Sequence, residues 1–315
     1  MARLVCFGEC MIELQGEAFG AMRQTFGGDT LNTAVYAARC GRGTAAAGLQ
    51  VGYATALGDD FLSDGLLQRW QAEGLDTRCV RRIRGRLPGL YQITVDSHGE
   101  RHFSYWRGQS AARDYFDSER TPLEDDAEAG LIDAFYLSGI SMAILPPAGR
   151  QRVLVLARRL RERGKWVVFD NNYRPRLWAS AQEAQAIYAE MLALADVALL
   201  TLDDDMLLWG QRDAQAMLAR ALAGPCNELV VKRGAAPTLL RVSDQPPLEV
   251  ATETVARVVD TTAAGDSFAG AYLAARLAGN PPAAAAAAGN RLAAHVVQHR
   301  GALIPLSAMP DLSQG

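Results

Sequence analysis

Asp260-Thr261-Thr262-Ala263-Ala264-Gly265-Asp266-Ser267-Phe268-Ala269-Gly270 is a run of small residues that carries one carboxylate into an apolar stretch. Upstream, Val255 to Val259 is β-branched enough to predict a strand. Downstream, Phe268, Tyr272, Leu273, Ala275 and Leu277 fall at helical spacings before the stop signal Gly279-Asn280-Pro281. The turn therefore opens a helix. First-turn N–H groups lack intrahelical partners and carry the positive end of the helix dipole, so an anion can approach them unless a side chain intervenes. Ala263, Ala264 and Gly265 leave that path open, and Asp266 stands at its mouth, where a carboxylate can take a proton from an attacking hydroxyl. The plainer reading of Asp266-Ser267 is an N-cap.

Strand-like and helix-like runs alternate through most of the chain, which predicts βαβ units and a mainly parallel, helix-covered sheet. Arg150 to Arg163 reads as a helix with Val153, Leu156, Ala157 and Leu160 on one face. Gly164 ends it, and Trp166 to Phe169 is a strand ending at Asp170. Val197 to Leu200 leads into Thr201, and Glu228 to Val231 into Lys232-Arg233-Gly234; such carboxyl ends are where open α/β sheets bind ligands. Met11 to Phe26 and Leu87 to Trp106 break the alternation and read as extended strands, with a turn at Ser97-His98-Gly99, forming a small lid. Gly27-Gly28-Asp29, followed by Asn32, Ala34, Ala37 and Ala38, starts a helix, and Pro281-Pro282 with the alanines 283–288 opens the last one.

The chain of 315 residues suffices for one α/β domain with a lid, and 32 basic against 35 acidic residues give no support for nucleic-acid or membrane partners. The arginines at 78, 81, 82, 84 and 86 lack interleaved aromatics and read as a solvated edge. Cys6, Cys10, Cys40, Cys79 and Cys226 include no Cys-x-x-Cys pair, which argues for a reducing cytosol. The N-terminus shows no signal-peptide pattern, and no stretch is long and apolar enough to span a bilayer. Gly41-Arg42-Gly43-Thr44-Ala45-Ala46 fits a dinucleotide pattern but follows a helix and precedes a strand, the reverse of what pyrophosphate binding requires. His295 and His299 lie four apart, the spacing of one helical face, but without a third ligand they read as a surface pair rather than a zinc site.

Taken whole, the string from Asp260 to Asp266 resembles the C-terminal signature of the ribokinase-like, phosphofructokinase-B type sugar kinases, usually Asp-Thr-x-Gly-Ala-Gly-Asp. Ala263 stands where that family has its first glycine, so an ordinary helical or bridge conformation is expected for it. The resemblance implies a three-layer α/β/α sandwich with a mainly parallel central sheet and a small β-strand lid. It also implies one kinase domain over residues 1–315, with lid strands at roughly 11–26 and 87–106. Asp266 would be the catalytic base, and Ala263, Ala264 and Gly265 the anion cradle. ATP and Mg2+ would be the cofactors. Lys232 and Gly234 match the family's Lys-x-Gly element beside the phosphates, though a lone lysine also suits a surface. Asn290 matches a position near the adenine, or faces solvent. The family's Asn-x-x-Glu motif, which places magnesium through water, is replaced by Thr201 and Asp204, with Asp170 and Asn172 as further polar groups. Asp260 and Thr262 match positions whose carbonyls bind a monovalent cation such as K+ in several relatives.

On the substrate side, the family's Gly-Gly with a nearby Asp and Asn implies that Gly28, Asp29 and Asn32 grip sugar hydroxyls. Residues 8–14, 26–32, 88–91, 105–107, 137–140 and 169–178 resemble the branch of the family that phosphorylates 2-keto-3-deoxygluconate. That sugar acid needs a cation at its carboxylate end: Arg107 and Arg174 can supply charge-assisted hydrogen bonds, and Tyr91 and Tyr105 an apolar cover with polar tips. The lid tyrosines equally suit packing in a homodimer through the lid. Three other functions are weighed: a kinase of a neutral ketose such as fructose, disfavoured by the arginines; a non-catalytic sugar-acid sensor, disfavoured by the intact Asp266; and a nicotinamide oxidoreductase.

Overall fold

The computed structural model describes residues 2–17, 19–42, 48–95 and 101–311. Strand β1 (Arg3–Phe7) is followed by β2 (Met11–Gly16), β3 (Met22–Gly27), helix α1 (Asp29–Gly41), β4 (Gln50–Leu57), α2 (Phe61–Ala72) and β5 (Val80–Arg82). Next come β6 (Gly89–Val95), β7 (Arg101–Trp106), α3 (Pro122–Glu128), β8 (Ala134–Ser138), α4 (Gly139–Ile144), α5 (Pro147–Glu162) and β9 (Trp166–Asp170). The remainder comprises α6 (Ala181–Leu194), β10 (Val197–Thr201), α7 (Leu202–Trp209), α8 (Ala214–Leu222), β11 (Glu228–Arg233), β12 (Ala236–Val242), β13 (Leu248–Val250), α9 (Ala264–Leu277) and α10 (Pro282–Val296).

The large sheet runs β13-β12-β11-β10-β9-β8-β1-β4-β5. It is parallel from β11 to β5, and the antiparallel pair β12 and β13 forms one edge. The period-two strand pattern explains the layers. Leu4 and Cys6 face α1 and α9, packing with Leu31, Ala34, Phe268 and Tyr272. Val5 and Phe7 face the other way, toward Val153, Leu156 and Tyr188 of α5 and α6. Burial on both faces accounts for strands that read as continuous apolar runs, and the three-layer expectation holds.

A second sheet, of order β3-β2-β6-β7, is built from the two segments that broke the alternation. Its β2 and β6 pair in parallel, so it is not a plain meander. The expected turn at Ser97-His98-Gly99 lies outside the described residues, as do residues 43–46 of the discarded dinucleotide pattern. One expected strand is absent: Val255 to Val259 pairs with no strand, and Val258 and Val259 are 58% and 38% exposed. Its chain instead leaves the sheet after β13, and the amides of Val259 and Asp260 donate to the Val297 carbonyl beyond α10. β-branched residues favour extended backbone, but they make a strand only where a sheet edge is offered. No helix among the described residues is long and apolar enough to cross a membrane.

Candidate active site

The carboxyl ends of β8, β9, β10 and β11 bring Ser138, Asp170, Thr201 and Lys232 to one edge of the sheet, in register as Ser138 opposite Asp170 and Thr201 opposite Lys232. The N-termini of α1 and α9 meet there. Gly270 lets these helices touch: a Cβ on it would lie 2.9 Å from both the Ala37 nitrogen and the Thr33 carbonyl oxygen. Asn32 Nδ2 then donates to Asp266 Oδ2 at 2.9 Å, and the Thr33 hydroxyl to the Asp266 carbonyl at 3.2 Å.

Asp266 is the third residue of α9, and Ser267 Oγ donates to the Ala264 carbonyl at 2.9 Å, so neither residue is the N-cap. Burial pushes the Asp266 carboxyl up to about 7, reinforced by Asp29 and Asp170 and opposed by the Asn32 hydrogen bond and Lys232. A carboxyl poised near neutrality suits a general base. Beside it, Lys232 Nζ donates to Asp170 Oδ2 at 2.7 Å and stands 3.4 Å from where a Gly265 Cβ would be, so the missing side chain lets the ammonium reach the cradle. The Ala264 amide donates to Thr261, whereas the first-turn amides of Gly265 and Asp266 have no carbonyl behind them in the helix.

Ala263 corrects an expectation. It is not helical or in the bridge region but left-handed, at φ 60° and ψ 15°. The turn before it closes through the Asp260 carboxylate, whose Oδ1 accepts from the Thr262 amide and hydroxyl at 3.0 and 2.7 Å and whose Oδ2 accepts from the Gly301 amide at 3.0 Å. Reversing from that turn into α9 requires positive φ, which alanine adopts at a cost. Ala263→Gly is therefore expected to raise the unfolding free energy by about 0.5–1 kcal/mol, net of the extra chain entropy of glycine, read as a higher urea midpoint with unchanged slope.

Opposite Asp266, Asp29 begins α1, and its Oδ2 accepts from Asn172 Nδ2 at 2.7 Å. Gly28 is extended, at φ 176°, and is glycine because a Cβ would lie 2.1 Å from the Glu9 carbonyl oxygen. Asn172 is itself left-handed, at φ 27°. Tyr91 lies over Gly27, its hydroxyl donating to the Glu13 carboxylate, and its ring is 5.9 Å from that of the half-exposed Tyr105.

Two arginines expected to meet a substrate carboxylate already have partners. Arg107 is ion-paired with the fully buried Glu9, and Arg174 Nη1 meets both Asp204 oxygens at 3.1 Å. Thr201 caps α7, its amide and carbonyl both taken by Asn171. Gly234, at φ 61°, makes the β11–β12 turn. Asn290 is not solvent-facing: it is buried, accepts from the Thr238 hydroxyl at 2.8 Å and donates to the Ala251 carbonyl at 2.9 Å, tying α10 to the sheet edge. Helix α10 ends at Val296, which leaves His299 off the helical face expected for the pair, and no cluster of metal-binding side chains occurs among the described residues. Arg78, Arg82 and Arg86 pair with Asp76, Asp64 and Asp114. Asn171 and Glu9, which hold Thr201 and Arg107, escaped the sequence reading, because a polar residue near a strand end looks like a turn residue until its burial is seen.

A buried carboxyl beside a helix-start cradle, at the carboxyl edge of a parallel sheet, fits a group-transfer site of the carbohydrate-kinase class, and residues 1–309 match the pfkB family carbohydrate kinases. The chain belongs to that family. It is 47% identical to the 2-dehydro-3-deoxygluconokinase of Escherichia coli (strain K12), over 98% of this chain and 99% of the relative. It is 46% identical to the enzyme of that name from Dickeya dadantii, over 98% of each. Among solved structures it is similar to a fructokinase with bound ATP from Xylella fastidiosa, with TM-score 0.80 and 26% identity over 99% of this chain and 96% of that one.

Proposed function

We propose that this protein transfers the γ-phosphoryl group of ATP to the terminal hydroxyl of 2-keto-3-deoxygluconate, giving the 6-phosphate and ADP. The observation that carries the chemistry is Asp266, held by Asn32 beside the cradle with its carboxyl near neutrality. The near-full-length likeness to 2-dehydro-3-deoxygluconokinases supports the substrate.

In this reading the substrate lies between α1 and the four-stranded sheet. Asp29, Asn32 and the Gly28 backbone hold its hydroxyls, Tyr91 and Tyr105 cover it, and Arg107 and Arg174, each shared with its own partner Glu9 or Asp204, face its carboxylate. Asp266 accepts the proton of the terminal hydroxyl as oxygen attacks phosphorus. The Gly265 and Asp266 amides with Lys232 stabilise charge on the transferring group, and Ala263 and Ala264 shape the turn that presents them. Gly234, Thr201 and Asn290 frame the nucleotide side, while the Asn172 amide turns to Asp29 on the substrate side.

Magnesium, when bound, neutralises phosphate charge. The side chains fit an ion that keeps most of its waters: Asp204, at the rim and held by Arg174, offers its carboxylate edge rather than a closed cage. The carbonyls of Asp260 and Thr262 are the proposed seat of a potassium ion behind the cradle. The four-stranded sheet acts as a lid on a single kinase unit. Its exposed Phe103, Tyr105 and Trp106 suit a homodimer through the lid, and the compartment that fits this chemistry is the cytoplasm.

The test is direct: purified protein with ATP, magnesium and either 2-keto-3-deoxygluconate or fructose, following ADP and the mass of the sugar product. Phosphorylation of the acid is expected at far higher kcat/KM. Preference for fructose would refute the substrate, and turnover of neither would refute the kinase reading.

A further inference from the structure

Asn171 is fully buried and uses every hydrogen-bonding position of its amide. Nδ2 donates to the Thr201 carbonyl and to Asp205 Oδ1, both at 2.9 Å. Oδ1 accepts from the amides of Asn172 at 2.8 Å and Thr201 at 2.9 Å. Its own carbonyl accepts from the Tyr188 hydroxyl at 2.6 Å. One side chain thus joins the ends of β9 and β10 to the first turn of α7. The next residue, Asn172, is held in left-handed backbone, and from there its side chain reaches Asp29 at 2.7 Å, 143 residues away in sequence.

We propose that Asn171 is a positioning residue: it fixes the backbone of Asn172 so that the Asn172 amide orients Asp29 for the sugar acid. The inference rests on the functional reading above. Neither an apolar nor an acidic side chain satisfies the constellation. Leucine would strand the Thr201 groups and the Asn172 amide, while aspartate would set an oxygen against the Thr201 carbonyl and Asp205, acceptors both. Asp205 is buried beside it, its carboxyl pushed up to about 6 chiefly by that burial, so a second carboxylate there is strongly disfavoured.

The measurement is calorimetric binding of 2-keto-3-deoxygluconate to the full-length protein without nucleotide. Asn171→Asp is expected to raise Kd about tenfold, and adding Asp205→Asn, which restores a donor facing the new carboxylate, to recover at least half of the loss on a logarithmic scale. Asn172→Ala should also weaken binding about tenfold, and Asn171→Asp combined with Asn172→Ala should be no weaker than Asn172→Ala alone, because the two act in series. Additive losses, or no rescue by Asp205→Asn, would overturn the proposal by showing mere structural damage. Unchanged Kd in Asn171→Asp would do the same. Asn171→Ala enters the same cycle if Asn171→Asp is not recovered folded. Failure of the unsubstituted protein to bind the acid would refute the substrate reading instead, and the two failures are distinct.

Discussion

Asp266→Asn is expected to lower kcat by at least about 10²-fold with little change in KM for the sugar acid, because the amide keeps the shape and the Asn32 contact but cannot accept the proton. The pH dependence supplies a second check. With its carboxyl near 7, the base is protonated and idle in acid, so the parent kcat should rise through about pH 7 and level off above it. The residual activity of Asp266→Asn should lack that limb. Stability should move the opposite way. An aspartate whose folded value lies above its unfolded one stabilises the protein fully only at pH below the unfolded value, and that contribution is lost as pH rises through the folded one. Asp266→Asn should therefore match its parent near pH 4 and exceed it in urea midpoint above pH 7. Parent-like turnover would remove Asp266 from the chemistry.

Lys232→Met should be the most destabilising of the site substitutions. The Lys232 and Asp170 side chains are only 11% and 5% exposed, and removing the cation leaves a buried carboxylate without its charge partner. Breaking such a pair costs about 3 kcal/mol or more. Burial already pushes the Asp170 carboxyl up against the pull of Lys232. In the variant that opposition is gone, so the stability deficit should grow as pH rises and shrink in acid, where Asp170 takes a proton. Lys232→Met with Asp170→Asn should recover most of the stability but not the activity, since kcat falls about 10²-fold without the ammonium over Gly265. Denaturant melts across pH, alongside initial rates, separate the two effects. A stability equal to the parent's in Lys232→Met at pH 8 would show that the pair is not structurally important.

Much of the architecture was legible because burial on both faces writes itself as apolar runs, and because the glycines at 27 and 28 mark a helix start and Gly265 an open approach. What escaped reading depended on partners distant in sequence. Val255 to Val259 has strand propensity, yet nothing in its composition tells that no sheet edge awaits it. Ala263 was expected to avoid positive φ on steric grounds, but the Asp260 turn, anchored to Gly301, overrides a preference worth about 1–2 kcal/mol. Arg107 and Arg174 were assigned by chemistry alone. That each already has a carboxylate, Glu9 or Asp204, could be seen only once the lid strand and α7 were placed. Asn290 illustrates the same limit: helix periodicity does not reveal that a neighbouring strand end offers it carbonyls.

The crossing of α1 and α9 at Gly270 has a consequence for how such a catalyst can diversify. The groups proposed to hold the acceptor hydroxyl and the carboxylate proposed to deprotonate it ride on two helices locked at van der Waals contact, so their separation is a property of the scaffold rather than of any loop. New acceptors must then be accommodated from the other side, by strands β2, β3, β6 and β7, whose residues can change without disturbing the reacting centre. A methyl group on Gly270 would spread that separation and should impair every substrate alike, while changes in the lid should trade one acceptor for another.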